Sequence, residues 1–205
     1  MQTMEEMNMF IIIFVLGIIF AIILFIFLSR KRKKDFGVLK NFLNGHFEYD
    51  STVYKFISDF KGVPLTINQI CGGKNCPRLI WIDLQTNSPI NLTIKSSYYL
   101  DSVGEKLGLL NEDSKTGDAE FDKSFHVRSA DTRSTSFLYS SENRQLIQDI
   151  FKLEVKTYFN AEYIQYLSIS EGHIELSKSY INLKNELSQD KIMHILEMLY
   201  KLGST

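Results

Sequence analysis

Cysteine and proline are scarce in this chain, which has two Cys and three Pro in 205 residues. Cys71 and Cys76 enclose a Gly-Gly-Lys-Asn segment that indicates a tight turn. A zinc site needs four ligands, and the chain has no second cysteine pair to complete one. A redox pair usually has two intervening residues, not four. We interpret the segment as a structural loop with reduced thiols, and a regulatory thiol pair is the alternative.

The chain also lacks the motifs of the commonest enzyme classes. It has no phosphate-binding loop, dinucleotide fingerprint, zinc-protease motif or nucleophile elbow. Two Ser-x-x-Lys matches begin at Ser58 and Ser188, but this pattern is short enough to occur by chance. Ser188 has an alternative role as a helix N-cap. The sequence therefore predicts no catalytic residue, cofactor or metal, although an unfamiliar enzyme is not excluded.

Basic charge is concentrated in one place. Lys and Arg number 23 against 24 Asp and Glu. Five basic residues follow one another: Arg30, Lys31, Arg32, Lys33 and Lys34. The remainder is mildly acidic, which disfavours nucleic acid as a partner. Fifteen Phe, ten Tyr and few prolines indicate a folded domain rich in β-structure.

An apolar run over residues 10–28 is the most informative feature that is present. As a helix rising about 1.5 Å per residue, it spans roughly 29 Å and matches the hydrocarbon core of a bilayer. The apolar side chains sum to about −5 to −9 kcal/mol on the insertion scale. No ionisable residue interrupts the run. The sequence predicts one transmembrane anchor that lies in the lipid bilayer, not a transport path.

The flanks of this run differ in charge. Glu5 and Glu6 precede it, and the five basic residues follow it. The positive-inside rule predicts an external N-terminus and a cytoplasmic C-terminal domain. A cleaved signal is the alternative, but its basic leader, shorter core and small-residue cleavage site are missing. We interpret the basic cluster as a topology determinant, with binding of anionic headgroups as the alternative.

These features divide the chain into four segments. They are a short tail over residues 1–9, the transmembrane helix over 10–28, a basic juxtamembrane segment over 29–45 and one soluble domain over 46–205. A short juxtamembrane helix is expected over residues 36–43. The soluble part is long enough to bury its own core.

Alternating apolar residues predict two strands near the middle of the chain. Their buried faces carry Ile80, Ile82 and Leu84 in the first and Ile90, Leu92 and Ile94 in the second. The turn-rich link over residues 85–89 predicts an antiparallel hairpin between them. Residues 53–70 are predicted to have extended or mixed secondary structure.

Further elements complete the predicted fold. A short strand is expected over residues 125–128, and a second hairpin over 163–176 turns at Glu171 and Gly172. Ser141 is the expected N-cap of a helix, and a last helix ends at Gly203. The apolar stripes are Leu146, Ile147, Ile150 and Phe151 in the first helix and Ile192, Ile195, Leu196, Leu199 and Leu202 in the second. Hairpins packed with two or three helices give an α+β fold.

The string GDAEFD at residues 117–122 is the most distinctive local motif. Asp118, Glu120 and Asp122 could bind a hard cation or a small molecule, with His126 nearby in sequence. Their spacing is not that of a calcium loop, and acid–base chemistry by two carboxylates is a further alternative.

A structural role is the favoured interpretation of this string. Asp118 would cap a turn that begins at Gly117, and Phe121 and Phe125 would hold the loop against the core. The other histidines point to no site. His194 lies off the apolar stripe of the last helix, which favours a solvated face.

The same string carries a resemblance. With the anchor, the following strand over residues 125–129 and a helix around Gln145, it resembles a loose group of bacterial single-pass membrane proteins of uncharacterised activity. This resemblance implies a bacterial membrane protein and no particular activity.

Two functional hypotheses follow. The first is a non-enzymatic domain that binds a membrane or cytoplasmic protein at the inner membrane face, where tethering raises its effective concentration. The second is a small-molecule or cation-binding domain, including an enzyme, that uses Asp118, Glu120 and Asp122.

Overall fold

The computed structural model describes residues 4–50, 53–70, 78–96, 115–129, 132–152 and 164–204. Its architecture is α+β, as the sequence predicts: a long apolar N-terminal helix precedes an eight-stranded antiparallel sheet with several helices. The loop of Cys71 and Cys76 lies outside the described residues, so its interpretation stays a prediction.

The helices are α1 (Met4–Phe36), a 3₁₀ turn (Gly37–Asn41), α2 (Ala119–Ser124), α3 (Thr132–Tyr139), α4 (Ser141–Lys152), α5 (Leu183–Glu186) and α6 (Gln189–Gly203). The strands are β1 (Gly45–Asp50), β2 (Val53–Phe60), β3 (Val63–Ile70), β4 (Leu79–Gln85), β5 (Leu92–Ser96), β6 (Phe125–Ser129), β7 (Ile164–Ser170) and β8 (His173–Ser179). Their order in the sheet is β1-β2-β3-β4-β8-β7-β5-β6.

Helix α1 exposes its apolar surface on all sides. The large apolar side chains over residues 9–28 have exposed fractions of 40–73%. Such a surface is unfavourable in water at about 25 cal/mol per Å². Among the described residues, α1 is the one helix long and apolar enough to cross a membrane.

Burial in the core begins at Phe36, after the exposed basic residues that follow the apolar run. Phe36 has an exposed fraction of 1%, and Leu39 and Leu43 are also buried in the core. The expected separate helix over residues 36–43 is instead the last residue of α1 followed by the 3₁₀ turn. Helix α1 also packs against α5. The apolar run is therefore joined to the domain by continuous helix and not by a flexible linker.

Two tight hairpins organise the sheet. Lys61 and Gly62, with φ of 53° and 82°, turn β2 into β3, and the region predicted only as extended or mixed is a regular hairpin. The predicted β7–β8 hairpin is confirmed, with Glu171 and Gly172 at φ of 52° and 78°. Positive φ at both central residues matches the right-handed twist of the flanking strands.

The predicted hairpin between β4 and β5 is wrong. Strand β4 pairs with β3 and β8, whereas β5 pairs with β7 and β6. The link between them crosses the end of the β7–β8 hairpin, where the Thr86 N–H donates to the Gly172 carbonyl at 2.6 Å. Alternation determines which face a strand buries, but not which strand lies beside it.

The inner face of the sheet carries the core. Every apolar residue predicted to face inward on β4, on β5 and just before β5 is buried, and so is the whole predicted stripe of α6. On α4, Ile147, Ile150 and Phe151 are buried and Leu146 is partly buried. The short strand β6 is also confirmed.

Two predicted helix caps need correction. Helix α4 already includes Ser141, and the hydroxyl of the preceding Ser140 accepts from the Asn143 N–H at 3.4 Å. The cap is Ser140, one residue earlier than predicted. Two adjacent serines carry the same capping hydroxyl, so the sequence alone does not distinguish them. Ser188 is the N-cap residue of α6, but its side chain makes no capping hydrogen bond.

A buried ion cluster holds α5 in place. Glu186, on α5, is buried and forms ion pairs with Lys178 on β8 and Lys191 on α6. Burial alone raises the pKa of Glu186, but the hydrogen bonds from the two lysines outweigh it and hold the pKa below its usual range. Because α5 packs against α1, this cluster also supports the attachment of α1.

We predict that Phe36→Ala destabilises the domain by about 3–5 kcal/mol, because it leaves a cavity where α1 enters the core. The matched control is Phe27→Ala in the exposed run, which should leave the free energy of unfolding unchanged. Urea unfolding of the full chain in detergent, followed by fluorescence of Trp81, measures both. Equal effects would contradict the docking of α1.

We predict that Glu186→Gln costs about 3–5 kcal/mol at pH 7, because Lys178 stays buried without its partner. Because the pKa of Glu186 is lower in the folded state, its ionisation stabilises the folded protein at pH values above the unfolded-state pKa of about 4.3. This stabilisation is lost as the pH falls through the folded-state pKa. The variant should therefore lose less stability than wild type between pH 5 and pH 3. Glu142→Gln removes an exposed pair with Lys201 and is the control. Identical pH profiles of Glu186→Gln and wild type would contradict the prediction.

Candidate functional site

The predicted basic cluster lies in the last turns of α1. Arg30, Lys31, Lys33 and Lys34 are exposed. Lys33 and Lys34 are in the final turn, where positive charge is favourable next to the helix C-terminus. The cluster thus lies between the exposed apolar run and the folded core.

Two tyrosines of the β1–β2 hairpin lie beside this part of α1. The Tyr54 hydroxyl donates to the Ser29 carbonyl at 3.4 Å. The Lys33 ammonium lies 5.0 Å from the centre of the Tyr49 ring, within the range of a cation–π interaction. The two tyrosine rings meet edge to face at 5.1 Å. Burial and the neighbouring Tyr54 raise the pKa of Tyr49.

The direction of β1 follows from further contacts. The Phe36 ring lies 5.6 Å from that of Phe47, and the Lys40 ammonium lies 5.0 Å from the Phe47 ring. As α1 proceeds from Lys33 toward the domain, its partners on β1 move back from Tyr49 to Phe47. Strand β1 therefore runs against the direction of α1, and its C-terminal end points back toward the apolar run.

Asp118 is the N-cap of α2. One carboxylate oxygen accepts from the backbone N–H groups of Glu120 and Phe121 at 3.1 Å, and the other accepts from Arg144 Nε at 3.1 Å. The Phe121 hydrogen bond, followed by the charge of Arg144 and the Glu120 N–H, outweighs desolvation and lowers the pKa of Asp118. Gly117 precedes it at φ of 81°, as the predicted turn requires.

Asp122 closes the same loop from inside α2. Its Oδ1 accepts from the backbone N–H and the hydroxyl of Thr116 at 2.9 and 2.8 Å. Phe121 is fully buried, and its ring lies 4.8 Å from that of Phe125. The favoured structural interpretation of the string, a capped turn held by two phenylalanines, is confirmed.

The remaining residues of the predicted site are less engaged with this loop. Glu120 is exposed, and His126 is half-buried on β6 opposite Lys95 of β5. In the described parts of the chain, no three His, Cys, Asp or Glu side chains are placed to hold a metal ion. A ligand site over Asp118, Glu120, Asp122 and His126 stays a prediction, and two of its carboxylates already bind within the fold.

The outer face of the sheet carries a group that the sequence analysis missed. Trp81 on β4 and Tyr166 on β7 meet edge to face at 5.6 Å, across the Ser177 position of β8. Both aromatic side chains are half-buried. Burial, and then the charge of Glu175, raises the pKa of Tyr166 to about 12.

Three polar, titratable side chains adjoin this aromatic pair. His173 Nδ1 lies 2.9 Å from Asp83 Oδ1, and Glu175 is paired with Asp83 across β4 and β8. Burial and the Asp83 charge raise the pKa of Glu175, although His173 opposes them. Alternation had already placed Asp83 on the polar face of β4. The sequence pattern does not show that β4 pairs with β8, and this pairing is what brings Glu175 and His173 next to Asp83.

The clefts near the last helix do not add a chemical site. One of about 350 Å³ lies beside the β4–β5 link and Gly203, and the described residues that line it include no carboxylate, histidine or cysteine. Another of about 480 Å³ includes His194 and Glu197, both exposed as the solvated-face interpretation predicts. In that cleft Glu197 pairs with Lys61.

No protein-family model matches the chain, and a search of curated proteins finds no significant match. The resemblance of residues 117–122 to bacterial single-pass proteins therefore stays a prediction. Functional inference depends on the geometry of the chain itself.

We predict that Asp122→Ala lowers the free energy of unfolding by about 1–3 kcal/mol, because Thr116 loses a charged acceptor. The effect should be the same in EDTA and in millimolar Ca²⁺ or Mg²⁺. Glu120→Ala, on the same helix but exposed, should change stability by less than about 0.5 kcal/mol. Cation-dependent thermal stabilisation of wild type that disappears in Asp122→Ala would instead support the ligand-site hypothesis.

Proposed function

We propose that this protein is a single-pass membrane protein whose domain stays on the cytoplasmic face and acts as an interaction module for another protein there. The observation that carries the proposal is the helix α1. It exposes its whole apolar run, yet its C-terminal end is part of the domain core. A bilayer is the environment that covers such a surface.

The continuity of α1 favours a retained anchor over a cleaved signal. Proteolytic sites are concentrated in exposed and flexible segments. The residues that follow the apolar run are helical through Phe36, and Ser29 already receives a hydrogen bond from Tyr54. No segment between the run and Phe36 leaves the helix.

The charge distribution supports a cytoplasmic domain. The basic residues Arg30, Lys31, Lys33 and Lys34 are exposed on the domain side of the run. Short basic segments next to a membrane span are retained on the cytoplasmic side.

The outer face of the sheet supports the interaction role. Trp and Tyr are enriched at the centres of protein interfaces, whereas Asp and Glu are depleted there and belong to the polar rim. Trp81 and Tyr166 form such a centre, with Asp83, His173 and Glu175 beside it. Because α1 is attached without a flexible linker, this face is held at a fixed height. A protein in or at the same membrane therefore meets it repeatedly in one orientation.

We predict that a tagged full chain, cross-linked in living cells and purified in detergent, recovers one stoichiometric partner. An anchor-only chain of residues 1–45 should not recover it. Trp81→Ala should weaken the affinity for the partner about thirtyfold and lower its recovery, since a central Trp contributes about 2 kcal/mol to an interface. The matched control is Tyr139→Ala, an exposed aromatic residue on α3, which should recover the partner normally.

The same cells test the orientation. In a chain without Cys71 and Cys76, an exposed Asp59→Cys should react with an impermeant maleimide only after the membrane is permeabilised. Labelling of intact cells would overturn the cytoplasmic assignment. Recovery of only the proteins that the anchor-only chain also recovers would overturn the interaction module.

A further inference from the structure

We propose that the β1–β2 end of the sheet lies in the headgroup layer of the bilayer, with Tyr49 as its lipid-contacting side chain and the basic turn of α1 beside it. The inference rests on the proposed membrane anchorage and adds a second contact between the protein and the membrane. The occupant is phospholipid headgroups, with anionic ones favoured by the basic turn.

The level of the hairpin follows from its bond to α1. Ser29 is one residue beyond the apolar run, or about 1.5 Å along the helix axis. The headgroup layer is roughly 5 to 7 Å thick on each side of the hydrocarbon core. The Tyr54 hydroxyl, which donates to the Ser29 carbonyl, therefore lies within that layer. The Tyr49 ring meets that of Tyr54 at 5.1 Å, and the Lys33 ammonium of the basic turn lies over it.

The direction of the strands leads to the same placement. From Phe47 to Tyr49, β1 advances toward the apolar run, as the ring and ammonium contacts with Phe36, Lys40 and Lys33 show. The strands continue in that direction to Asp50 and Val53, which pair with each other. The end of the β1–β2 pair at Asp50 and Val53 is therefore the part of these two strands nearest the membrane.

The chemistry of the surface fits a headgroup layer. Tyr49 has an exposed fraction of 49%, and in the described part of the domain Tyr139 is the one other exposed aromatic residue. Tyrosine is enriched at membrane interfaces because it combines an apolar ring with a polar hydroxyl. Lys33 lies over the Tyr49 ring, and Arg30, Lys31 and Lys34 are exposed nearby on α1. Exposed cations at this level attract anionic headgroups.

The test uses tryptophan fluorescence in the full chain. Trp81 is the single Trp of the sequence, so Trp81→Phe removes the background. Tyr49→Trp in that chain places the probe at the predicted contact. Asp59→Trp places a matched probe at an exposed position of β2, about 17 Å farther along the strand from Tyr54. Both chains are reconstituted into phosphatidylcholine–phosphatidylglycerol vesicles, with and without lipid spin-labelled at its headgroup.

We expect the headgroup label to quench the Tyr49→Trp probe more strongly than the Asp59→Trp probe, because the two positions are about 17 Å apart along the strand direction. Val53→Trp is the second probe and should behave like Tyr49→Trp. Circular dichroism confirms that each variant is folded.

Weak or equal quenching at all three positions, in protein that resists alkaline carbonate extraction, would overturn this inference and leave the anchorage intact. Release of the protein by carbonate would overturn the anchorage and this inference with it.

Discussion

The packing of Phe36 and Leu39 into the core is the interaction on which the rest of the arrangement depends. It makes a helix with a fully exposed apolar run part of the folded domain. The ion cluster around Glu186 strengthens this attachment from the other side, because it holds α5 against α1. The position of the apolar run and the folding of the domain are therefore coupled through a few buried side chains.

Most of the architecture could be predicted from local patterns. The apolar run, the inward faces of β4 and β5, the β7–β8 hairpin and the stripe of α6 all depend on residues close together in sequence. The neighbours of β4 and β5 could not be predicted, because strand pairing depends on contacts between distant segments. Strand β1 was missed although its pattern was present, since Phe47 and Tyr49 alternate with His46, Glu48 and Asp50.

The candidate sites divide in the same way. Capping by Asp118 was predictable, since its partners lie two and three residues away. The link from Asp118 to Arg144 and the contact of His173 with Asp83 join residues 26 and 90 positions apart. Sequence-spacing rules relate residues within one helix or strand, so they cannot predict contacts over these separations. Two further contacts also join residues distant in sequence. They are the contact of Trp81 with Tyr166 and that of Tyr49 with Lys33.

The absence of a linker between α1 and the sheet has a mechanical consequence. Eight strands about 4.8 Å apart make a sheet roughly 34 Å wide, and α1 is attached at its β1 edge. Membrane helices change tilt when the thickness of the bilayer changes. A tilt of about 10° would then move the far edge of the sheet, at β6, by roughly 6 Å. With α1 in a bilayer, as proposed, the domain would act as a lever that converts a small change in the bilayer into a displacement comparable to the width of a side chain.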